Sequence, residues 1–262
     1  MTGEERPPAV AGLFYPADPS ELEETVRGML DAALPAAPGR LPPKALILPH
    51  AGHVYSGPVA ASGYKLIPPT TRRVVLIGPS HRYPFRGIAA HSAHWFATPL
   101  GRIPLDREAI LRIVGLPGVA LLDAAHENEH SLEVHLPFLQ VVLSEFSLVP
   151  LVVGEAGPDA VAGVLEALWD GPETAIVISS DLSHFHDYET ARRIDRATAE
   201  AVEALAPRRI GPEQACGCYP VAGLLRLARR KGLEAETLDL RNSGDTSGDR
   251  SRVVGYGAFA LS

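Results

Sequence analysis

A chain of 262 residues, 46% hydrophobic and 21% charged, can bury one large α/β core or two small ones and has an ordinary globular profile. Its net charge of −7 leaves no basic tract to neutralise a phosphate backbone, which argues against nucleic acid as a partner. The two cysteines, Cys216 and Cys218, flank a single glycine. A disulfide across one residue would be strained, so a reducing, cytoplasmic location is expected, and no apolar run approaches membrane-spanning length.

In chain order, the stretch DPSELEETVRGMLDAAL (18–34) reads as a helix, with Ser20 and Glu23 spelling a capping box. The proline-rich LPAAPGRLPPK (34–44) reads as a rigid connection, followed by an apolar strand, KALILPH (44–50). A helix (58–67), a strong strand RRVVLIGPSH (72–81), a weaker strand (87–92) and a helix (106–115) come next. The segment EVHLPFLQVVLSEF (133–146) is helical in pattern and leads into the strand FSLVPLVVG (146–154). A helix (158–169), the strand TAIVISSD (174–181) and two helices (187–205 and 219–232) follow. Asp187 reads as the N-cap of the first of these two. A weaker strand (235–241), a Gly/Ser/Asp loop (242–251) and the strand RVVGYGAFALS (252–262) close the chain. Strands and helices alternate without an internal repeat or a Gly/Ser linker. This predicts a mostly parallel sheet covered on both faces by helices, in one domain over residues 1–262.

Three of the strands share an ending: LILPH stops on His50, LIGPSH on His81 and VISSDLSH on His184. In a parallel sheet the C-terminal strand ends line one edge, where ligands bind. Taken singly, each histidine reads equally well as a hydrogen-bonded strand cap. Together they predict converging imidazoles of the kind a transition-metal site requires. Asp181 lies three residues before His184 and is placed to orient its ring. Cys216 precedes a helix whose N-terminal dipole would lower its pKa, making it a ligand or nucleophile. By spacing alone it reads as a small buried residue at a tight turn.

The stretch HENEH (126–130) spells the zinc-protease motif H-E-x-x-H. That chemistry needs both histidines on one face of a continuous helix. Ser131 is a good N-cap and Pro137 would break a helix running through both, so the segment is expected to be a polar loop. Glu129, His130, Glu133 and His135 are then expected to line the crevice or to orient its ligands. Gly52 and Gly57 would let backbone approach a ligand there.

The stretches VAGLFYPADPSEL, PHAGHVYSGPVAASGY, LIGPSH, EHSLEVHLPFLQ, VISSDLSHF and CGCYPVAGLL, spread in order over nearly the whole chain, resemble the Memo family, component B of the AmmeMemoRadiSam group. The resemblance implies a three-layer α/β sandwich like that of class III extradiol dioxygenases. It implies metal binding by His50, His81 and Cys216, with His184 at the position of the dioxygenases' catalytic histidine. A cysteine stands where those enzymes carry a carboxylate, and a softer donor favours copper or zinc more than a carboxylate does. Fe(II) is the expected ion, with copper next and zinc after it.

Two functions follow from this. One is a redox metalloenzyme acting on a small molecule, with His184 moving the proton. The other is a non-enzymatic module that binds metal or docks a peptide on the same scaffold. The group's name also suggests a functional link to radical SAM and AMMECR-like proteins. No membrane partner is expected.

Overall fold

The structure is a computed structural model that describes residues 4–33, 41–246 and 248–262. The strands are β1 (Glu5–Arg6), β2 (Ala45–Leu48), β3 (Arg73–Pro79), β4 (Ile88–Ala90), β5 (Trp95–Thr98) and β6 (Gly101–Pro104). They continue as β7 (Val119–Leu121), β8 (Ser147–Val153), β9 (Thr174–Ser179), β10 (His184–His186), β11 (Ala235–Asn242) and β12 (Val253–Leu261). The helices are α1 (Pro19–Ala32), α2 (His53–Tyr64), α3 (Arg107–Val114) and α4 (Leu136–Val142). After them come α5 (Pro158–Ala167), α6 (Tyr188–Glu203), α7 (Cys218–Lys231) and the short α8 (Ser243–Thr246).

The main sheet runs β10-β12-β2-β9-β3-β8-β4-β7, with β11 also paired to β12. Its centre, β2-β9-β3-β8, is parallel. All of β2 and β9, and all but the first residue of β3 and β8, are buried, as strands covered on both faces must be. Antiparallel pairs join the flanks to this core: β12 runs against β2, β10 and β11, and β4 runs against β8. The sheet is therefore mixed: its core is parallel as expected, and the outermost pair, β4 and β7, is parallel as well. The chain between β3 and β4, or between β11 and β12, is too short for a parallel crossover, so each second strand turns back.

Helices α1, α2 and α4 pack together on one face, with α2 against β2 and β12. Helices α3, α5, α6 and α7 cover the other, with α7 against β3 and β9. The result is a three-layer α/β sandwich. A separate three-stranded sheet, β1-β5-β6, carries the N-terminal segment. Among the described residues no helix is long and apolar enough to cross a membrane. The proline-rich connection at 34–44 lies mostly outside the described residues.

Several local expectations are corrected. Helix α1 is capped by Asp18, whose carboxylate accepts the Glu21 N–H at 2.9 Å, and not by Ser20. Pro19 sits at the first helical position, where its missing N–H costs nothing, so the helix begins ahead of Ser20. Helix α2 starts at His53, earlier than the pattern suggested, and runs through Gly57 and Pro58. Gly57 faces no ligand: a Cβ there would collide with the Met29 sulfur of α1, so the glycine permits close helix packing. The 133–146 segment is a 3₁₀ turn (Glu133–His135) followed by α4, with Pro137 in its first turn.

The fold positions the site through one feature of strand order. β9 is last in the chain among the four parallel strands yet lies between β2 and β3. The end of β9 therefore emerges between the strands that lead to His50 and His81.

Candidate metal centre

One ligand atom each from His50, His81 and His130 falls within a group whose members all lie within 4.8 Å of one another. The ring centroids of His50 and His81 are 5.1 Å apart, those of His50 and His130 5.6 Å, and those of His81 and His130 4.7 Å. His50 leaves β2 through Pro49 and donates its backbone N–H to Asp181 Oδ1 at 2.7 Å. His81 is gripped twice by Glu129, which accepts its backbone N–H at 2.5 Å and sits 2.9 Å from its Nδ1. The Ser131 N–H adds a third bond to that carboxylate at 2.9 Å. Burial alone would raise the Glu129 carboxyl, but these bonds and the adjacent His81 charge outweigh it and bring it down to about 2.

Burial, followed by the neighbouring imidazoles, holds His50 well below the usual histidine range. Burial likewise lowers His130 to about 4. Both rings are thus neutral near pH 7, the form a metal needs. His130 Nδ1 is buried with no hydrogen-bond partner, 3.4 Å from Glu129 Oε1. A buried ring nitrogen without a partner is costly unless something else binds it. Clustered imidazoles, one ring nitrogen left over and a carboxylate behind the ring of His81 fit a transition-metal ion.

Cys216 lies at the Nε2 edge of the His50 ring, its Sγ 3.4 Å from His50 Nε2 and 3.3 Å from the Asp181 N–H. The thiol pKa is raised, not lowered as its place before α7 suggested. Burial is the main cause and the Asp181 charge the second. Gly217 makes this approach feasible, because a Cβ there would lie 2.6 Å from the Ser179 carbonyl oxygen. Asp181 does not hold His184. Its Oδ1 serves the His50 backbone and its Oδ2 lies 4.0 Å from His50 Nε2. Burial pushes its carboxyl up to about 6. The His184 ring is fixed by the Leu182 carbonyl, which accepts from Nδ1 at 2.8 Å. It is close enough for its charge to bear on both His50 and Asp181.

Two of the expected residues do not border the cavity. Glu133 does not line a crevice: it is fully buried, paired with Arg6 at 2.7 Å. It accepts from the Ala9 and Val10 N–H groups and from the Tyr15 hydroxyl. His135 is also enclosed, behind His50, between Tyr64 Oη at 2.7 Å and Ser179 Oγ at 2.9 Å. The sequence did not single out Ser179, and it pointed to Ser131 only as a helix N-cap. The visible signal was a hydroxyl closing the otherwise apolar run TAIVIS, a polar residue in a strand with no solvated face.

HENEH is not a metalloprotease helix. No helix spans 126–130. His126 donates from Nε2 to the Ala89 carbonyl (3.0 Å) and packs on His91 and Phe96. Only His130 of the pair belongs to the cluster.

Two cavities flank the centre. One of about 710 Å³ is bordered by His130, Asp181, Phe14, Tyr55, Phe185 and Tyr256. Gly52, Ser243 and Asp249 also reach it, so the loop at 242–251 contributes to the site. Phe185 stands at its rim in the left-handed region (φ 62°), 62% exposed, at a break in the β10–β12 register. A bulky residue there is strained, a feature that clusters at functional sites. The second cavity, about 430 Å³, includes Cys216, Tyr83 and Tyr219.

Residues 6–260 match the Memo-like protein family. Curated relatives agree over almost their full length. A MEMO1 family protein of Methanopyrus kandleri is 37% identical over 98% of this chain and 99% of its own. One of Sulfolobus acidocaldarius is 34% identical (96% and 97%), and one of Thermotoga sp. strain RQ2 is 37% identical (96% and 97%).

Proposed function

The chain belongs to the Memo-like family, and from that premise we propose that it is a metal-dependent redox enzyme that acts on a small molecule. Fe(II) is the preferred ion, with copper second and zinc third. The observation that carries this reading is the convergence of His50, His81 and His130 beside a cavity large enough for a small substrate.

His50 and His81 would hold the ion, with His130 and Cys216 as competing further ligands. When bound, Fe(II) or copper supplies electron exchange and open positions for oxygen or substrate. The protein's own residues set the surroundings. Glu129 fixes the His81 ring. His184, its Nδ1–H committed to the Leu182 carbonyl, keeps its Nε2 lone pair to take a proton. Asp181 anchors the His50 backbone. Leu13, Phe14 and Tyr55 wall the cavity and give it apolar surface for a ligand.

The test is anaerobic titration of the metal-free protein with Fe(II), Cu(I) and Zn(II), followed by oxygen-consumption assays on candidate substrates. One tightly bound ion per chain and substrate-dependent oxygen uptake are expected. An ion bound without turnover on any candidate would favour a metal-binding or docking module. No ion bound would overturn the metal reading altogether.

A further inference from the structure

Behind His50 lies a buried hydrogen-bond network whose proton positions follow from counting donors and acceptors. Ser179 Oγ, at the end of β9, is 2.6 Å from the Ser131 carbonyl oxygen, 2.6 Å from His50 Nδ1 and 2.9 Å from His135 Nε2. A carbonyl only accepts, so the single hydroxyl proton of Ser179 points at Ser131. The Ser179 oxygen has only lone pairs left for its other two neighbours. Both imidazoles must therefore donate to it, His50 from Nδ1 and His135 from Nε2. His135 Nδ1 is then an acceptor, and Tyr64 donates its hydroxyl to it at 2.7 Å.

One arrangement satisfies every member. In it the Nε2 of His50 carries the lone pair, and this is the nitrogen 3.4 Å from Cys216 Sγ and 4.0 Å from Asp181 Oδ2. Tyr64, Ser131, Ser179, His50 and His135 are each no more than 1% exposed, so water is not at hand to satisfy a different arrangement. Moving the His50 proton to Nε2 would set the Nδ1 lone pair against the lone pairs of Ser179 at 2.6 Å. It would also break a buried hydrogen bond.

We propose that Ser179 is a positioning residue for the metal centre: it locks His50 in the Nδ1–H tautomer, so that Nε2 is ready as the ligand nitrogen before an ion arrives. The claim that an ion uses this nitrogen rests on the metal-centre reading above. The tautomer itself does not, and can be read in metal-free protein. Ser179 does for His50 what Glu129 does for His81, but with a neutral group, so it orients the ring without adding charge. His135 and Tyr64 act only through Ser179.

The test combines long-range ¹H–¹⁵N NMR on metal-free, ¹⁵N-histidine-labelled protein with anaerobic metal titration of wild type, Ser179→Ala, Ser179→Thr and Tyr64→Phe. Wild-type His50 is expected as a single Nδ1–H tautomer. Ser179→Ala should show mixed His50 tautomers and bind metal about 10–100-fold more weakly, the range for losing a group that orients a ligand. Ser179→Thr keeps the hydroxyl and should restore the tautomer. Tyr64→Phe should disturb His135 while His50 stays Nδ1-protonated, because the Ser179 proton remains on Ser131. A wild-type His50 protonated at Nε2 overturns the proposal even if Ser179→Ala fails to fold. Metal binding by folded Ser179→Ala as tight as wild type overturns the role of Ser179 and leaves the metal reading standing. A wild type with the expected tautomer but no metal affinity overturns both.

Discussion

Replacing Glu133 with glutamine should destabilise the protein more than any change at the metal centre. The carboxylate is fully buried and serves four donors: Arg6 Nη1 at 2.7 Å, the N–H groups of Ala9 (2.8 Å) and Val10 (2.9 Å), and the Tyr15 hydroxyl at 2.6 Å. Glutamine keeps one oxygen, which can go on serving Val10 and Tyr15. Its amide –NH₂ then faces the Arg6 guanidinium and the Ala9 N–H, donor against donor. Arg6 is itself only 4% exposed. Its other bonds, to the carbonyls of His126 and Glu129 at 2.8 Å, carry no countercharge. Breaking one side of a buried pair costs about 3–5 kcal/mol. That is a large share of the 5–15 kcal/mol or so by which folded domains are usually stable. At about 2–4 °C per kcal/mol for a chain of this size, Tm should fall by about 6–20 °C. Limited proteolysis should cut first within residues 5–15, the strap that Glu133 ties down. Phe14 of that strap lies with its ring centroid 4.7 Å from that of His130, so the loosening should also reach the metal centre. The assay is urea unfolding of Glu133→Gln beside Arg6→Met/Glu133→Leu. The double variant removes both charges and should recover part of the loss. A Glu133→Gln protein within about 1 kcal/mol of wild type, its N-terminal segment still protected, would refute the reasoning.

At the centre, His50→Ala and His81→Ala should abolish metal binding in calorimetric titration, while His184→Ala retains most of it. If His184→Ala loses binding as fully as His81→Ala, His184 is a ligand and not the proposed base. Cys216→Ser should weaken binding less than either ligand histidine change, and chiefly for Cu(I), because oxygen is a poorer partner for a soft ion. For acid stability, burial depresses His53 and His91 to about 4 and His126 to about 3. The unfolded chain therefore binds these protons first, near pH 6.5. Stability is complete above that and is lost as pH falls towards 4, at up to about 1.4 kcal/mol per pH unit for each ring. Urea unfolding of metal-free protein at pH 7, 6 and 5 checks this, and a flat profile would contradict it. Gly217→Ala should cost about 1–3 kcal/mol through overpacking. Its Cβ would meet the Ser179 carbonyl at 2.6 Å, and a thermal melt unchanged from wild type would show that α7 can shift instead.

The parallel core was legible because its strands are buried on both faces and read as uninterrupted apolar runs: ALIL, RVVLIGP, SLVPLVV and TAIVIS are four such strands. The elements that escaped detection are short and half-exposed. β1 has two residues, β10 has three with none buried, and the β5–β6 hairpin alternates over four-residue strands. Too few residues carry a period there for it to be read. The direction of the outer strands was hidden for another reason. Composition does not encode whether a strand turns back, whereas connection length does, and the loop after Pro79 could have been counted.

The site divides along the same line. Residues that follow a strong strand directly, His50 and His81, were found because a strand end fixes where the chain emerges. Residues whose role depends on which partner they meet could be placed only loosely, since the partner comes from far away in sequence. Glu133 and His135 sit in the same polar segment as Glu129 and His130, three to six residues along. Yet Glu133 faces the N-terminal strap over 120 residues upstream, and His135 faces Tyr64 and Ser179. The 3₁₀ turn at Glu133–His135 rotates these side chains away from the cavity that His130 borders. A cluster of charged and imidazole groups in sequence is thus split among three separate jobs: a metal cluster, a buried anchor and a tautomer lock. What assigns each residue to its job is the donor or acceptor left unsatisfied on the element packed against it. An unpaired Arg6 would demand Glu133 as strictly as an unpaired Ser179 demands the His50 proton. Hydrogen-bond satisfaction therefore constrains the site more tightly than motif spelling does, and it sends His126 and His130 of H-E-x-x-H to different surroundings.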